Sequence, residues 1–203
     1  MTQPAADRQQ PIREEILDNA MDLFCHYGFA KTSMSDIAGR CGMSSGNLYR
    51  YFKNKRAIGI AAVERHFEAA RAFIVRAQAA APRDPESQIR AVLRAGVEHM
   101  TASMEQNPRM IELADFVTKD AEGWALLQDY FNWRRARIVK ELESGCAAGL
   151  FLVPDPQAAA IALQHAVKAF NLPYALAKWR DRKTVMPELD AVLDLVFSGL
   201  RRA

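Results

Sequence analysis

Between Thr32 and Lys55 the chain reads TSMSDIAGRCGMSSGNLYRYFKNK, and no other stretch so narrows what it can fold into. Ser33 followed by Asp36 is a capping box, in which the hydroxyl and the carboxylate take up N–H groups that the start of a helix leaves free. The helix opened there carries Ile37 and Ala38 and reaches Gly42, a natural stop, after barely two turns. Ser44 or Ser45 caps a further helix, GNLYRYF, whose Leu48 and Phe52 lie four apart and face inward together.

The flanks carry longer helical patterns. Ile12, Ile16, Leu17, Ala20, Met21, Phe24 and Tyr27 form an apolar stripe that Gly28 ends. Asn54 offers a cap for a helix starting near Lys55, with Ile58, Ala62 and Phe67 continuing its stripe toward residue 78. Two short helices joined by a tight turn at Gly42 match a helix-turn-helix. The second must bury Leu48 and Phe52 while its other face, rich in hydroxyl, amide, aromatic and basic groups, meets a major groove. Its N-terminus, with the Ser44 and Ser45 hydroxyls, suits phosphate, and Gly46 lets backbone approach the duplex closely.

Charge supports an anionic partner. The chain carries +3 overall, yet Lys31, Arg40, Arg50, Lys53, Lys55 and Arg56 face only Asp36 between residues 31 and 56, a local +5 that leaves the remainder at −2.

Beyond residue 80, Pro82, Asp84 and Pro85 mark a break, and Ile89, Val92, Leu93, Val97 and Met100 make another stripe. Met110 to Thr118 reads as a short helix, and Trp124, Leu127, Phe131, Ile138 and Leu142 carry a longer one to Gly145. An Ala-rich helix spans Ala158 to Leu172. Pro187 suits the first turn of a last helix bearing Leu189, Val192, Leu193, Val196 and Leu200. About nine helices and no strand predict an all-α chain. We expect a disordered tail over 1–11, a three-helix DNA-binding domain over 12–56, and a larger helical regulatory domain over 57–203.

Several function classes are disfavoured. The polar N-terminus has no apolar signal core, and no stretch approaches the roughly 18 apolar residues of a membrane span, so a soluble, cytoplasmic protein is expected. Cys25, Cys41 and Cys146 are widely separated and read as small buried fillers, not a disulfide or zinc framework. His26, His66, His99 and His165 form no metal-binding motif, and no nucleophile elbow, phosphate loop or paired carboxylates appear. No metal, cofactor or catalytic residue is assigned.

The matching positions Ser33, Ile37, Ala38, Gly42, Ser44, Gly46, Leu48, Tyr49, Tyr51, Phe52 and Lys55, with Met43 in place of the usual Val, make this region resemble the TetR family of transcriptional regulators. Ala20, Leu23, Phe24, Gly28 and Phe29 extend the resemblance upstream, and it covers about residues 12 to 67. It implies that Ser33, Tyr49, Tyr51 and Lys55 hold phosphates while Ser45 and Asn47 face base edges. Arg50 would reach guanine or a phosphate. It further implies a homodimer on a palindromic operator of double-stranded DNA, formed by helices at about 157–172 and 187–201 through Ile161, Leu172, Leu189, Val192, Val196 and Leu200. A small-molecule effector, apolar or amphipathic, would bind the regulatory domain among Met100, Met104, Phe116, Trp124 and Phe131 and release the operator. The alternative is a regulator or activator that answers to no ligand.

Overall fold

Two glycines in the left-handed region cut the first part of the chain into separate helices: Gly28 at φ +92° and Gly42 at φ +65°. The structure, a computed structural model, describes residues 5–107, 109–171 and 182–201. Helix α1 (Ala5–Tyr27) ends at Gly28, α2 (Met34–Arg40) ends at Gly42, and the four-residue α3 (Ser45–Leu48) precedes α4 (Lys55–Ala80). Then follow α5 (Pro85–Gln106), α6 (Met110–Lys119), α7 (Ala121–Ala147) and α8 (Pro156–Ala166). A 3₁₀ turn, Lys168–Asn171, and α9 (Arg182–Leu200) complete the described chain. Among the described residues the only extended pairing is one isolated bridge, Phe151 to Arg201, so the all-α reading holds.

The chain divides into two compact units. The first comprises Met1–His66 together with Asn107–Leu126, and the second Phe67–Gln106 together with Leu127–Ala203. In the first, Ile16, Ala20, Phe24, Ile37, Leu48, Phe52 and Ile58 form a closed core with Ile12, Phe29 and Met43 packed around it. Burying each large side chain contributes about 1.5–3 kcal/mol, far more than the helical propensity of α2 or α3 can. In the second unit, Ile74, Ile89, Leu93, Ile138, Leu142, Leu163, Leu189 and Phe197 are buried to 1% exposure or less.

Several elements depart from the sequence reading. Residues 5–11, expected as a tail, continue α1 through the exposed Pro11, which costs one helical hydrogen bond at a wet position. The helix expected over GNLYRYF closes after Leu48, because Arg50 and Tyr51 donate to the carbonyls three residues back, those of Asn47 and Leu48. The last helix starts at Arg182, so Pro187 lies inside it. Leu189 is fully buried in its own unit and offers nothing to a partner, and Leu172 lies outside the described residues. The expected pocket wall is divided: Phe116 and Trp124 belong to the first unit, Met100, Met104 and Phe131 to the second. The three cysteines are half-buried and free, with burial pushing the Cys25 and Cys41 thiols up.

Gly28 is constrained twice, by its positive φ and by the Glu112 carboxylate, into which any β-carbon would run. Gly28→Ala is expected to cost about 1–3 kcal/mol in urea unfolding, and Gly28→Ala with Glu112→Ala to recover only the steric part.

Candidate nucleic-acid interface

The loop from α1 to α2 is tied from within. Thr32, buried, donates its hydroxyl to the Gly28 carbonyl at 2.9 Å. Lys55, the first residue of α4, donates its ammonium to the carbonyls of Phe29, Ala30 and Thr32 at 2.8, 3.1 and 2.7 Å, and sits 4.9 Å from the centre of the Phe29 ring. An ammonium has three hydrogens, and all three are used. Lys55 therefore fastens the end of α1 to the start of α4, and the phosphate role expected for it is not what its surroundings serve.

Next comes the capping box. The Ser33 N–H and hydroxyl both donate to Asp36 Oδ2, at 2.7 and 2.6 Å, and the Asp36 N–H donates to Ser33 Oγ at 3.1 Å. The two bonds from Ser33 hold the Asp36 carboxyl below the usual carboxylate range. At the other end of α2, the Met43 N–H reaches the Ala38 carbonyl at 3.0 Å and that of Gly42 the Gly39 carbonyl at 3.2 Å, a Schellman turn that needs the left-handed Gly42. Ser44 then caps α3, its Oγ accepting from the Asn47 N–H at 3.2 Å.

Leu48 and Phe52 point into the core, and Arg13 of α1 secures the end of the turn. Its Nη1 donates to the Tyr51 carbonyl at 2.7 Å and its guanidinium lies 4.2 Å from the centre of the Phe52 ring. Sequence reasoning passed over Arg13, since nothing at its own position marks a partner thirty-eight residues away.

The opposite edge is left free. Tyr49 is 52% exposed, Gly46, Arg50 and Lys53 are exposed, and Ser45 and Asn47 are half-buried. Among the described residues the side chains of Asn47, Tyr49, Arg50 and Lys53 have no hydrogen-bond or ion-pair partner. Tyr51 differs, being half-buried against the core. This edge offers hydroxyl, amide, phenol, guanidinium and ammonium groups on one rigid turn, the chemistry that base edges and phosphates require.

The local +5 is smaller in effect than in sum. Arg56 makes a two-pronged pair with Asp120, Nε to Oδ2 at 2.6 Å and Nη2 to Oδ1 at 2.7 Å, and its Nη1 reaches Glu122 at 3.0 Å. Asp120 also accepts the N–H groups of Glu122 and Gly123 at the start of α7, and the Arg56 guanidinium is the main cause of its lowered carboxyl pKa. Arg40 stands 3.5 Å from Asp22. Lys31, Arg50 and Lys53 remain without an acidic partner among the described residues. Aromatic packing strengthens the same contact: the rings of Phe29 and Phe116 lie 4.5 Å apart over Gly59, where a β-carbon would come within 2.8 Å of Phe29. The Arg56–Asp120 pair was invisible in the sequence because its partners are sixty-four residues apart.

Comparison with known proteins places this geometry. Residues 16–62 match the family model described as bacterial regulatory proteins, tetR family, and residues 85–193 match the tetracyclin repressor-like C-terminal domain. The transcriptional repressor NemR of Escherichia coli is 33% identical over 61 residues, 30% of this chain and 31% of NemR. The chain spans less than a third of the length of the curated relatives it resembles. A TetR/AcrR-family regulator from Thermobifida fusca shares the fold with a TM-score of 0.70 at 24% identity, over 94% of this chain and 98% of that one. SmeT, the repressor of the Stenotrophomonas maltophilia efflux pump SmeDEF, does so at 0.67 and 20%, over 94% and 90%.

Two outcomes follow from the clamps. Lys55→Met should lower unfolding stability by about 1.5–3 kcal/mol, since three carbonyls lose a charged donor; a urea melt reads it. Because the Asp36 and Asp120 carboxyls are held low in the folded chain, their stabilisation is complete above the ordinary carboxylate range and is lost as pH falls through their lowered values. Asp120→Asn should accordingly melt below wild type at pH 7, the two converging in acid.

Proposed function

The chain belongs to the TetR family of bacterial regulatory proteins, and on that footing we propose that it is a dimeric repressor, held on a palindromic operator until a small apolar or amphipathic molecule binds its second unit. The observation that carries the DNA half is the free polar edge of α3 and its following turn, displayed by a frame in which Arg13, Thr32, Asp36, Lys55 and Arg56 are already paired. Asn47, in reach of a major groove, would pair with adenine through its amide, and Ser45 would face bases beside it. Ser44, Tyr49, Arg50 and Tyr51 would meet phosphates or sugars, with Gly46 at the closest approach and Ser33 kept to the capping of α2; Lys31 and Lys53 add the charge that Lys55 and Arg56 spend internally.

Dimerisation through α8 and α9 is supported by what those helices leave in water. Leu195 is 74% exposed and Ile161 37%, while Val192, Val196 and Leu200 are half-buried on α9. A two-fold pairing of such faces sets two reading turns at one spacing, matching a palindrome. Release would use the two helices that begin in one unit and end in the other, α4 and α7. Their starts are joined by the Arg56–Asp120 pair, so an effector that displaces either one in the second unit would move the start of both. The ligand acts to the extent that it binds the low-affinity spacing better.

An operator selected from a random DNA library by the full-length protein provides the assay, read by fluorescence anisotropy. Asn47→Ala should weaken the selected site by about 1–3 kcal/mol and leave random DNA unchanged. Arg50→Ala should lower the salt slope by about one on every sequence, whereas Lys55→Met should leave the slope as it is. Ile161→Asp with Leu195→Asp should give helical monomers in sedimentation and abolish operator binding. A dimer that persists, or a selected site lacking two-fold symmetry, overturns the reading.

A further inference from the structure

Arg134, on α7, is 1% exposed, and among the described residues its Nε and Nη2 donate to nothing. Among the described residues its one side-chain hydrogen bond is a long one, Nη1 donating to Asn171 Oδ1 at 3.5 Å, an amide itself anchored by donating Nδ2 to the Val167 carbonyl. No carboxylate pairs with it among the described residues. The neighbouring arginines are supplied: Arg135 Nε meets Gln164 Oε1 at 3.1 Å and Arg137 Nε meets Gln78 Oε1 at 2.6 Å. A guanidinium cannot shed its proton in a protein, so Arg134 holds a full charge in the second unit's interior with no counter-ion among the described residues.

The site is shaped around that charge. Gly96 of α5 lies against it, and a β-carbon there would come within 2.7 Å of both the Arg134 Cζ and Nη2. The rings of Tyr130 and Phe131 stand 5.6 and 6.0 Å from the guanidinium, and Phe67 stacks on Tyr130 at 4.9 Å. The unpartnered pair is informative in itself. Nε and Nη2 project their hydrogens from one edge of the guanidinium in parallel, the arrangement that a carboxylate meets side-on with both oxygens. One buried positive charge is balanced by one negative charge, which favours a carboxylate over a phosphate dianion.

We propose that Arg134 is the anchor for the effector and that the effector is an amphipathic monocarboxylate, its head on the Nε–Nη2 edge and its apolar body against Tyr130 and Phe131. The assignment rests on reading the second unit as effector-binding, and the test separates the two. Calorimetry on the full-length protein uses octanoate, decanoate, benzoate and phenylacetate, each beside its primary amide. At least one carboxylate should bind about thirtyfold or more tighter than its amide, and Arg134→Met should bring it down to the level of the amide. Gly96→Ala, which keeps α5 helical and pushes the guanidinium aside, should weaken it about tenfold, and it carries the test if Arg134→Met does not fold. No binding by any of the four at millimolar concentration, equal binding of acid and amide, or unchanged affinity in the Arg134 and Gly96 variants overturns the site. Operator anisotropy in the same titrations keeps the readings apart. A carboxylate that binds through Arg134 without moving operator affinity supports the site and overturns release, whereas an amide that frees the operator where no carboxylate binds overturns the site alone.

Discussion

The ammonium of Lys55, with its three bonds to the carbonyls of Phe29, Ala30 and Thr32, is the contact on which the rest of the first unit depends. Helix α1 must stop at Gly28 for the loop to turn, and a stopped helix leaves carbonyls unpaired at its end. Lys55 satisfies carbonyls just past that stop from the first turn of α4, so the loop is closed by the residue that begins the next long helix. With α1 and α4 fixed to each other, α2 and α3 have a floor. Neither short helix would persist alone, and their positions come from Ile37, Leu48 and Phe52 sinking into that floor.

A consequence is that polar groups in the first unit divide into two kinds. Those inside the frame, Ser33, Asp36, Thr32, Arg13, Lys55 and Arg56, find partners within the chain. Those on the outer edge, Asn47, Tyr49, Arg50 and Lys53, find none among the described residues. Rigidity and availability are thus allotted to different residues, as a reading surface requires: groups on this edge that met DNA would lose little freedom on binding, because the backbone beneath them is already held. The same division explains why a basic segment need not be a basic surface. Two of its six positive side chains serve the fold.

The second unit shows the opposite arrangement at Arg134. There a charge is buried with its best donor edge unmet, beside a glycine that makes room for it and rings that line it. Buried polar groups are nearly always paired in folded proteins, and an arginine that is not paired marks a place where the free chain is incomplete. The first unit carries its free polar groups outward, on a held edge; the second keeps the Arg134 charge inward.

What was legible in the sequence follows from distance along the chain. Capping Ser33–Asp36, the left-handed stop at Gly42, and the inward pair Leu48 and Phe52 are signals within four residues, so the helices, their turn and the exposed edge of α3 could be read directly. The stripes likewise disclosed an all-α fold. The roles of Lys55, Arg56, Arg13 and Arg134 could not be read, because a lysine or arginine shows its charge locally and its partner only after folding. Phe116 and Met100 looked alike as apolar residues of one region, and the division into units separated them. Local hydrogen bonding and helical periodicity are properties of short segments and belong to the sequence. Which charge is spent, which stays free and which is buried unmet depends on residues tens of positions apart, and only the tertiary structure decides it.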